Sequence, residues 1–290
     1  MVPTVTIPGI NVIGHHSNCR QMRHEEFGRS TMETLSSGTG SGPARQAVLS
    51  VQKLSKKFGA LAALNDLSFD VEKGEIFGIA GPNGAGKTTL LNVCTGALAP
   101  TSGRIFLDGE QVDGLEPYRL CHKGLARTFQ IPRLFNSMTV HDNVTTGAIF
   151  GLGNKPGDGR TMKQVVGDIL ELTDLLPSSD RPIASADLLT RKMTMLAAAL
   201  ATRPKLIFMD EPLAGLVSEE IDHLVELIAK LHGTLKIDFI VIEHKVRALT
   251  RLCDRIMIMH YGSSICLDTP QKALRDKQVI EVYLGAEYFA

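Results

Sequence analysis

Residues 81–88 read Gly-Pro-Asn-Gly-Ala-Gly-Lys-Thr, between an apolar pentapeptide, Ile76-Phe77-Gly78-Ile79-Ala80, and a helical pattern over 87–95. A glycine-rich turn between strand and helix lets successive backbone N–H groups converge on phosphate oxygens, and the helix start adds its dipole. The pattern G-x-x-x-x-G-K-[ST] makes Lys87 a partner for β- and γ-phosphates and Thr88 a hydroxyl ligand for Mg²⁺. The candidate nucleotide-binding residues are therefore Gly81, Pro82, Asn83, Gly84, Ala85, Gly86, Lys87, Thr88 and Thr89, with ATP and Mg²⁺ as the groups to be held. A glycine turn that only closes a strand is the structural alternative, and the strand-before, helix-after setting favours phosphate.

A phosphoryl site needs an acid at the end of a second apolar strand. Leu206-Ile-Phe-Met-Asp210-Glu211 supplies two. Asp210 suits a water-bridged contact to Mg²⁺, and Glu211 suits a general base that polarises the attacking water. Acids in such places also cap helices, but Pro212 follows, and the pairing with Lys87 favours chemistry.

The elements that must position these groups show in the periodicity. AVLSVQKL (from Ala47) and LSFDV (from Leu67) are short and partly alternating, as half-buried antiparallel strands are, whereas LIFM, FIVI and IMIM are continuous apolar runs, as strands covered on both faces are. Helical patterns at 87–95, 139–150, 162–176, 191–201, 218–232 and 245–252 separate them. Strands alternating with helices predict an α/β fold with a parallel, doubly covered sheet. The stretch of about 132–203 holds no obvious strand and reads as a helical insertion.

Composition limits the rest. Thirty-one basic and 31 acidic residues cancel, which argues against a chain that lives on nucleic acid. Hydrophobic residues make up 43%, enough for a sizeable core. The apolar runs are far shorter than the ~20 residues of a membrane span, and the first residues, broken by two prolines, do not read as a secretory signal. Cys19, Cys94, Cys121, Cys253 and Cys266 form no C-x-x-C pair, which suits free thiols in a reducing compartment. Residues 1–46 end in the linker-like SSGTGSGPARQ and read as a poorly ordered extension. His15, His16, Cys19 and His24 there could ligate a metal, but a solvated polar tail is the preferred reading because no scaffold surrounds them.

GPNGAGKTT, ARTFQIPRLF, MDEPLAGL and VIEH, in that order, resemble the ATP-binding subunit of an ABC transporter over about 47–285. ARTFQIPRLF, the Met138-Thr139-Val140 and Asn143-Val144 that follow it, and the ending VIEVYLG resemble the branched-chain amino acid importer branch, with urea and amide importers close by. The resemblance implies a P-loop NTPase of ABC type: a parallel core sheet, an antiparallel β subdomain and the helical insertion, together spanning 47–290. It implies that Phe58 stacks on adenine, that Gln130 contacts Mg²⁺ or the attacking water, and that His244 donates to the γ-phosphate as charge develops; a core role for Phe58 is the alternative. The metal set is then Thr88, Gln130 and Asp210, and the catalytic set Glu211, His244 and Gln130. His122, His223 and His260 lack such a context and read as surface or packing residues. The implied partners are membrane permease subunits, a second ABC ATPase and, indirectly, a periplasmic or extracellular solute-binding protein. The implied location is peripheral, on the cytoplasmic face of the inner membrane.

The chain departs from that family at the signature motif and at positions near it. Counting back from Pro204 places the family's LSGGQ signature at Ala186-Asp187-Leu188-Leu189-Thr190. In the family this segment binds the γ-phosphate held by the other subunit's P-loop. Asp187 sets a negative charge against phosphate, and two leucines obstruct backbone approach. Ala198 stands where an Arg is usual, and Val217, after Ala214-Gly215-Leu216, stands where a polar residue is usual. The elements used on the chain's own nucleotide are intact and those lent across a dimer are degraded. One reading is an importer ATPase in an asymmetric heterodimer. The other is a nucleotide-binding regulatory or decayed paralogue.

Removal of residues 1–44, which offer few large apolar side chains, is expected to leave ATP affinity and the melting temperature nearly unchanged. A large drop in melting temperature on truncation would contradict the reading of this segment as a tail.

Overall fold

The computed structural model describes residues 46–152, 159–244 and 246–284. The extension read over 1–46 falls outside them except for Gln46, as do Lys245 and Gly285.

The first strands make an antiparallel layer. β1 (Ala47–Phe58) and β2 (Leu61–Glu72) form a long hairpin, and β4 (Ser102–Leu107) and the short β5 (Glu110–Gln111) extend it in the order β2-β1-β4-β5. A six-stranded sheet follows the order β10-β9-β3-β8-β7-β6. Its members are β3 (Ile76–Ala80), β6 (Leu125–Arg127), β7 (Leu206–Asp210), β8 (Asp238–Ile242), β9 (Arg255–His260) and β10 (Ser263–Asp268). All neighbours are parallel except β10, an antiparallel edge strand that sequence periodicity did not announce.

The apolar runs are continuous because the sheet is covered on both faces. Phe77, Leu206, Phe208, Ile240 and Ile242 point into the core shared with the antiparallel layer. Ile76, Ala80, Ile207, Met209, Phe239 and Val241 point into the other core, shared with the helices. Period 2 is thus present, but apolar residues fill both of its phases. Each such side chain contributes about 1.5–3 kcal/mol of burial. Glu75 is buried and holds Arg255 in a paired contact, Nε to Oε2 at 2.9 Å and Nη2 to Oε1 at 2.7 Å, which ties the residue before β3 to β9.

The helices are α1 (Lys87–Cys94), α2 (Pro117–Lys123), α3 (Val140–Leu152), α4 (Met162–Leu172), α5 (Leu188–Ala201), α6 (Ser218–Leu235), α7 (Val246–Leu252), α8 (Pro270–Ala273) and α9 (Lys277–Leu284). Among the described residues, 132–203 hold α3, α4, α5 and two 3-10 turns, with a single bridge between Thr139 and Pro182. The predicted helical insertion is therefore present. Of the boundaries that differ from expectation, among them the end of α6 at Leu235 rather than 232, two have a visible cause. Helix α4 stops at Leu172 rather than 176, because Thr173 caps it and Asp174 turns left-handed at φ 56°. Helix α5 starts at Leu188 rather than 191, because Asp187 Oδ1 accepts the Thr190 N–H at 2.8 Å and caps it.

Helix α3 lies unusually close to α5. A Cβ placed on Gly147 would stand 2.1 Å from the Ala198 carbonyl oxygen, and one on Gly151 2.2 Å from Thr202 Cα. Small residues on both helices permit this approach, and Ala198 belongs to it. Gly147→Ala is expected to destabilise the fold by about 1–3 kcal/mol, because backbone must move to admit the methyl. Urea unfolding should show this as a lower midpoint, and an unchanged midpoint would refute the close packing.

Candidate nucleotide site

Register brings the candidate residues together. Ile79 of β3 pairs with Ile242 of β8, and Ile242 pairs with Asp210 of β7. The glycine loop, the acidic pair and His244 therefore all leave the same edge, the C-terminal ends of adjacent parallel strands. Ligands of open α/β sheets collect at that edge.

A cleft of about 380 Å³ opens there. Phe58, Asn83, Gly84, Ala85, Gly86, Lys87, Thr88, Thr89, Glu211 and His244 line it, together with Leu61, Ala62, Ala63, Tyr261 and Gly262. Phe58 is 46% exposed at the end of β1, so the alternative of a core phenylalanine does not hold; Lys56 Nζ sits 5.2 Å from its ring centre. Tyr261, 80% exposed, adds an aromatic ring that sequence reasoning missed. It sits beside Gly262, whose N–H donates to the Ala85 carbonyl at 2.9 Å.

Gly86 begins α1 at φ 102°, and a Cβ there would lie 2.5 Å from the Ala63 carbonyl oxygen. Gly81 and Pro82 do not line the cleft. A Cβ on Gly81 would meet the Met259 carbonyl oxygen at 2.3 Å, so this glycine is required by the approach of β9. The Lys87 ammonium donates to the carbonyls of Gly81 at 2.7 Å and Pro82 at 2.9 Å. Burial holds it below the usual lysine range, while Glu211 and Asp210 pull it back up.

Glu211 occupies a left-handed backbone conformation, φ 44°, that costs an ordinary residue about 1 kcal/mol or more. Its N–H donates to the Ile242 carbonyl at 2.9 Å, which fixes the turn. Its carboxylate lies between two of the other candidates: Gln130 Nε2 donates to Oε2 at 2.5 Å, and His244 Nε2 contacts Oε1. Asp210 is half-buried, with Arg127 Nη2 3.9 Å away. Burial pushes its carboxyl above the usual range, and Arg127 opposes that shift. Neither Asp210 nor Gln130 lines the cleft directly. His122 and His223 are exposed and His260 is half-buried, as expected of histidines outside the site.

Thr88, Gln130 and Asp210 offer hydroxyl, amide and carboxylate oxygens, a donor set suited to Mg²⁺. Among the described residues no group of three or more His, Cys, Asp or Glu side chains is placed to hold a metal on its own.

The family model described as "ABC transporter" matches residues 64–214. The chain belongs to the ABC transporter family. It is 34% identical over 249 residues to the high-affinity branched-chain amino acid transport ATP-binding protein BraF of Pseudomonas aeruginosa, covering 82% of this chain and 98% of that protein. It is 34% identical over 251 residues to the corresponding protein LivG of Escherichia coli, covering 83% and 98%. A solved ADP conformation of an ATP-binding cassette of an ABC transporter matches with a TM-score of 0.74 at 32% identity, over 82% of this chain and 99% of that one. The fold is thus that of an ABC cassette, and the chain is an ABC ATPase and ATP-binding subunit. No helix among the described residues is long and apolar enough to cross a membrane.

In this ATPase, Glu211→Gln is expected to keep ATP affinity and to slow hydrolysis by about 10²–10⁴-fold, because an amide cannot take the proton from water. Calorimetric binding beside phosphate release tests this; normal turnover would place the base elsewhere.

Proposed function

We propose that this ATPase powers import of branched-chain amino acids or similar small polar solutes, bound to permease subunits at the cytoplasmic face of the inner membrane. The convergence of Gln130 and His244 on Glu211, beside the glycine loop, carries the hydrolytic part of this reading. Similarity to BraF and LivG over four fifths of the chain supports the solute class. In the working site Lys87 meets the β- and γ-phosphates, Phe58 stacks on adenine, and Thr88, Asp210 and Gln130 hold Mg²⁺ with waters. Glu211 draws the proton from the attacking water, and His244 donates to the γ-phosphate.

Permease docking is supported by the surface where the chain passes from Gln130 into the helices. Ile131 is 77% exposed and Phe135 55%, and Met138 is also uncovered. Such apolar exposure fits a partner protein.

The second ATPase of the assembly is proposed to differ from this one. In a working signature, the helix start presents bare N–H groups to a partner's phosphate. Here the Asp187 carboxylate occupies the start of α5, accepts the Thr190 N–H and faces Arg181 at 3.4 Å. These bonds, the Thr190 backbone N–H first among them, hold it below the usual carboxylate range, so it stays charged at neutral pH. Leu188 lies over Gly215 in the loop after Glu211. A phosphate approaching α5 meets a negative charge already seated there. The second reading, a decayed paralogue, is disfavoured by the intact constellation around Glu211.

The test compares two lysine variants in the assembled complex. Lys87→Ala is expected to abolish most turnover, whereas the matching change in a signature-bearing partner should cost far less. The isolated chain should turn over slowly, and rewriting 186–190 as Leu-Ser-Gly-Gly-Gln should raise that rate, since one oxyanion-type donor is worth about 10²–10³-fold. Equal damage from the two lysine changes, or brisk hydrolysis by the isolated chain, would refute the asymmetry.

A further inference from the structure

Lys192, in the second turn of α5, is 4% exposed. Lysine is almost never this buried without a partner. Its ammonium donates to the Glu211 carbonyl at 3.3 Å and the Gln130 carbonyl at 3.4 Å. These are the backbone oxygens of two residues whose side chains meet at 2.5 Å.

The negative charge that answers Lys192 lies behind Glu211. Glu243 is 2% exposed, and its carboxylate oxygens accept the N–H groups of Leu213 at 2.7 Å and His244 at 3.2 Å. Burial pulls Lys192 below the usual lysine range, and Glu243, then Glu211, pull it back up. One buried cation and one buried anion thus bridge α5, the chain at Gln130, Glu211 just past β7, Leu213 in the loop that follows, and His244 beyond β8. A buried charge held by such contacts adds little net stability, because its desolvation offsets much of the Coulomb gain. Because α5 belongs to the helical insertion, this ammonium gives the insertion a direct polar link to Gln130 and Glu211.

We infer that Lys192 is a positioning residue for hydrolysis: it ties α5 to the backbone of Gln130 and Glu211, so that a shift of the helical insertion moves the side chains that flank the attacking water. The inference rests on Glu211 being the general base. It assigns Lys192 no contact with nucleotide.

The test uses the complex purified with its partner subunits, with Glu211→Gln as the reference for the base. Lys192→Met keeps the length of the side chain and removes its donors and charge. It is expected to lower kcat by roughly 10- to 100-fold, the scale of a small misplacement of reacting groups, with KM for ATP within about twofold. Lys192→Arg should recover most of the rate. A lysine that serves packing alone would lower the melting temperature and leave kcat in the folded fraction untouched, which would overturn the inference. So would a wild-type rate in Lys192→Met. Normal turnover in Glu211→Gln would instead overturn the assignment of the base. A second measurement needs no variant: hydrogen exchange of the wild-type chain should show MgATP slowing residues 130–135 and 188–201 by a common factor. Independent responses of those two segments would also overturn the coupling.

Discussion

The site depends on the register of three parallel strands. β3, β8 and β7 stop side by side, so the chain turns out of the sheet at three neighbouring points. Those turns carry Lys87, His244 and Glu211. Register here is over-determined, because each strand buries apolar side chains on both faces. A slip of one residue would exchange the two faces and set phenylalanines of one core against the helices of the other. The same packing that fixes the fold also holds Glu211 in its left-handed conformation, which a looser sheet edge would not sustain.

The helical insertion meets this edge through α5, and α5 serves opposite ends differently. Its start is closed by Asp187, which satisfies backbone donors with the chain's own anion. Its middle presents Lys192 inward to Gln130 and Glu211. Its last turns press against α3 at glycine distance. On the proposed reading, a helix held at these three places is suited to connect a membrane partner to the reacting centre.

Much of this was legible in the sequence, for definable reasons. The glycine loop is one unbroken run, and Asp210 and Glu211 are adjacent at the end of an apolar strand, so each shows as a local pattern. The two-sided burial of the central strands shows directly as unbroken apolar runs. What stayed hidden depends on residues far apart. Glu75 and Arg255 pair across 180 positions, and neither has a neighbour that announces the other. Lys192 sits in a helix pattern where a basic residue reads as solvent-facing, and only the fold turns it inward. Tyr261 reaches the cleft because Gly262 bonds Ala85, a contact with no local signal. The start of α5 lies three residues before the apolar periodicity announces it, because the capping bond of Asp187 to Thr190 extends the helix backward.

Charge balance bears on the proposal that a second chain completes the site. Around the cleft, the buried and half-buried charges of Lys87, Arg127 and Lys192 face those of Asp210, Glu211 and Glu243. Buried charges left uncompensated are costly, so a balanced set is what a stable nucleotide-free chain requires. An incoming nucleotide with its metal is still an anion. Its excess charge has to be met by donors that carry no counter-charge in the resting chain, namely backbone N–H groups at the starts of helices. α1 offers such a start behind Gly86, whereas the start of α5 is closed by Asp187. On the proposed reading, the remaining donors reach this chain's nucleotide from a partner's helix, while this chain returns a carboxylate. The asymmetry would then follow from where one acidic side chain sits on one helix, with no change at Lys87, Asp210 or Glu211.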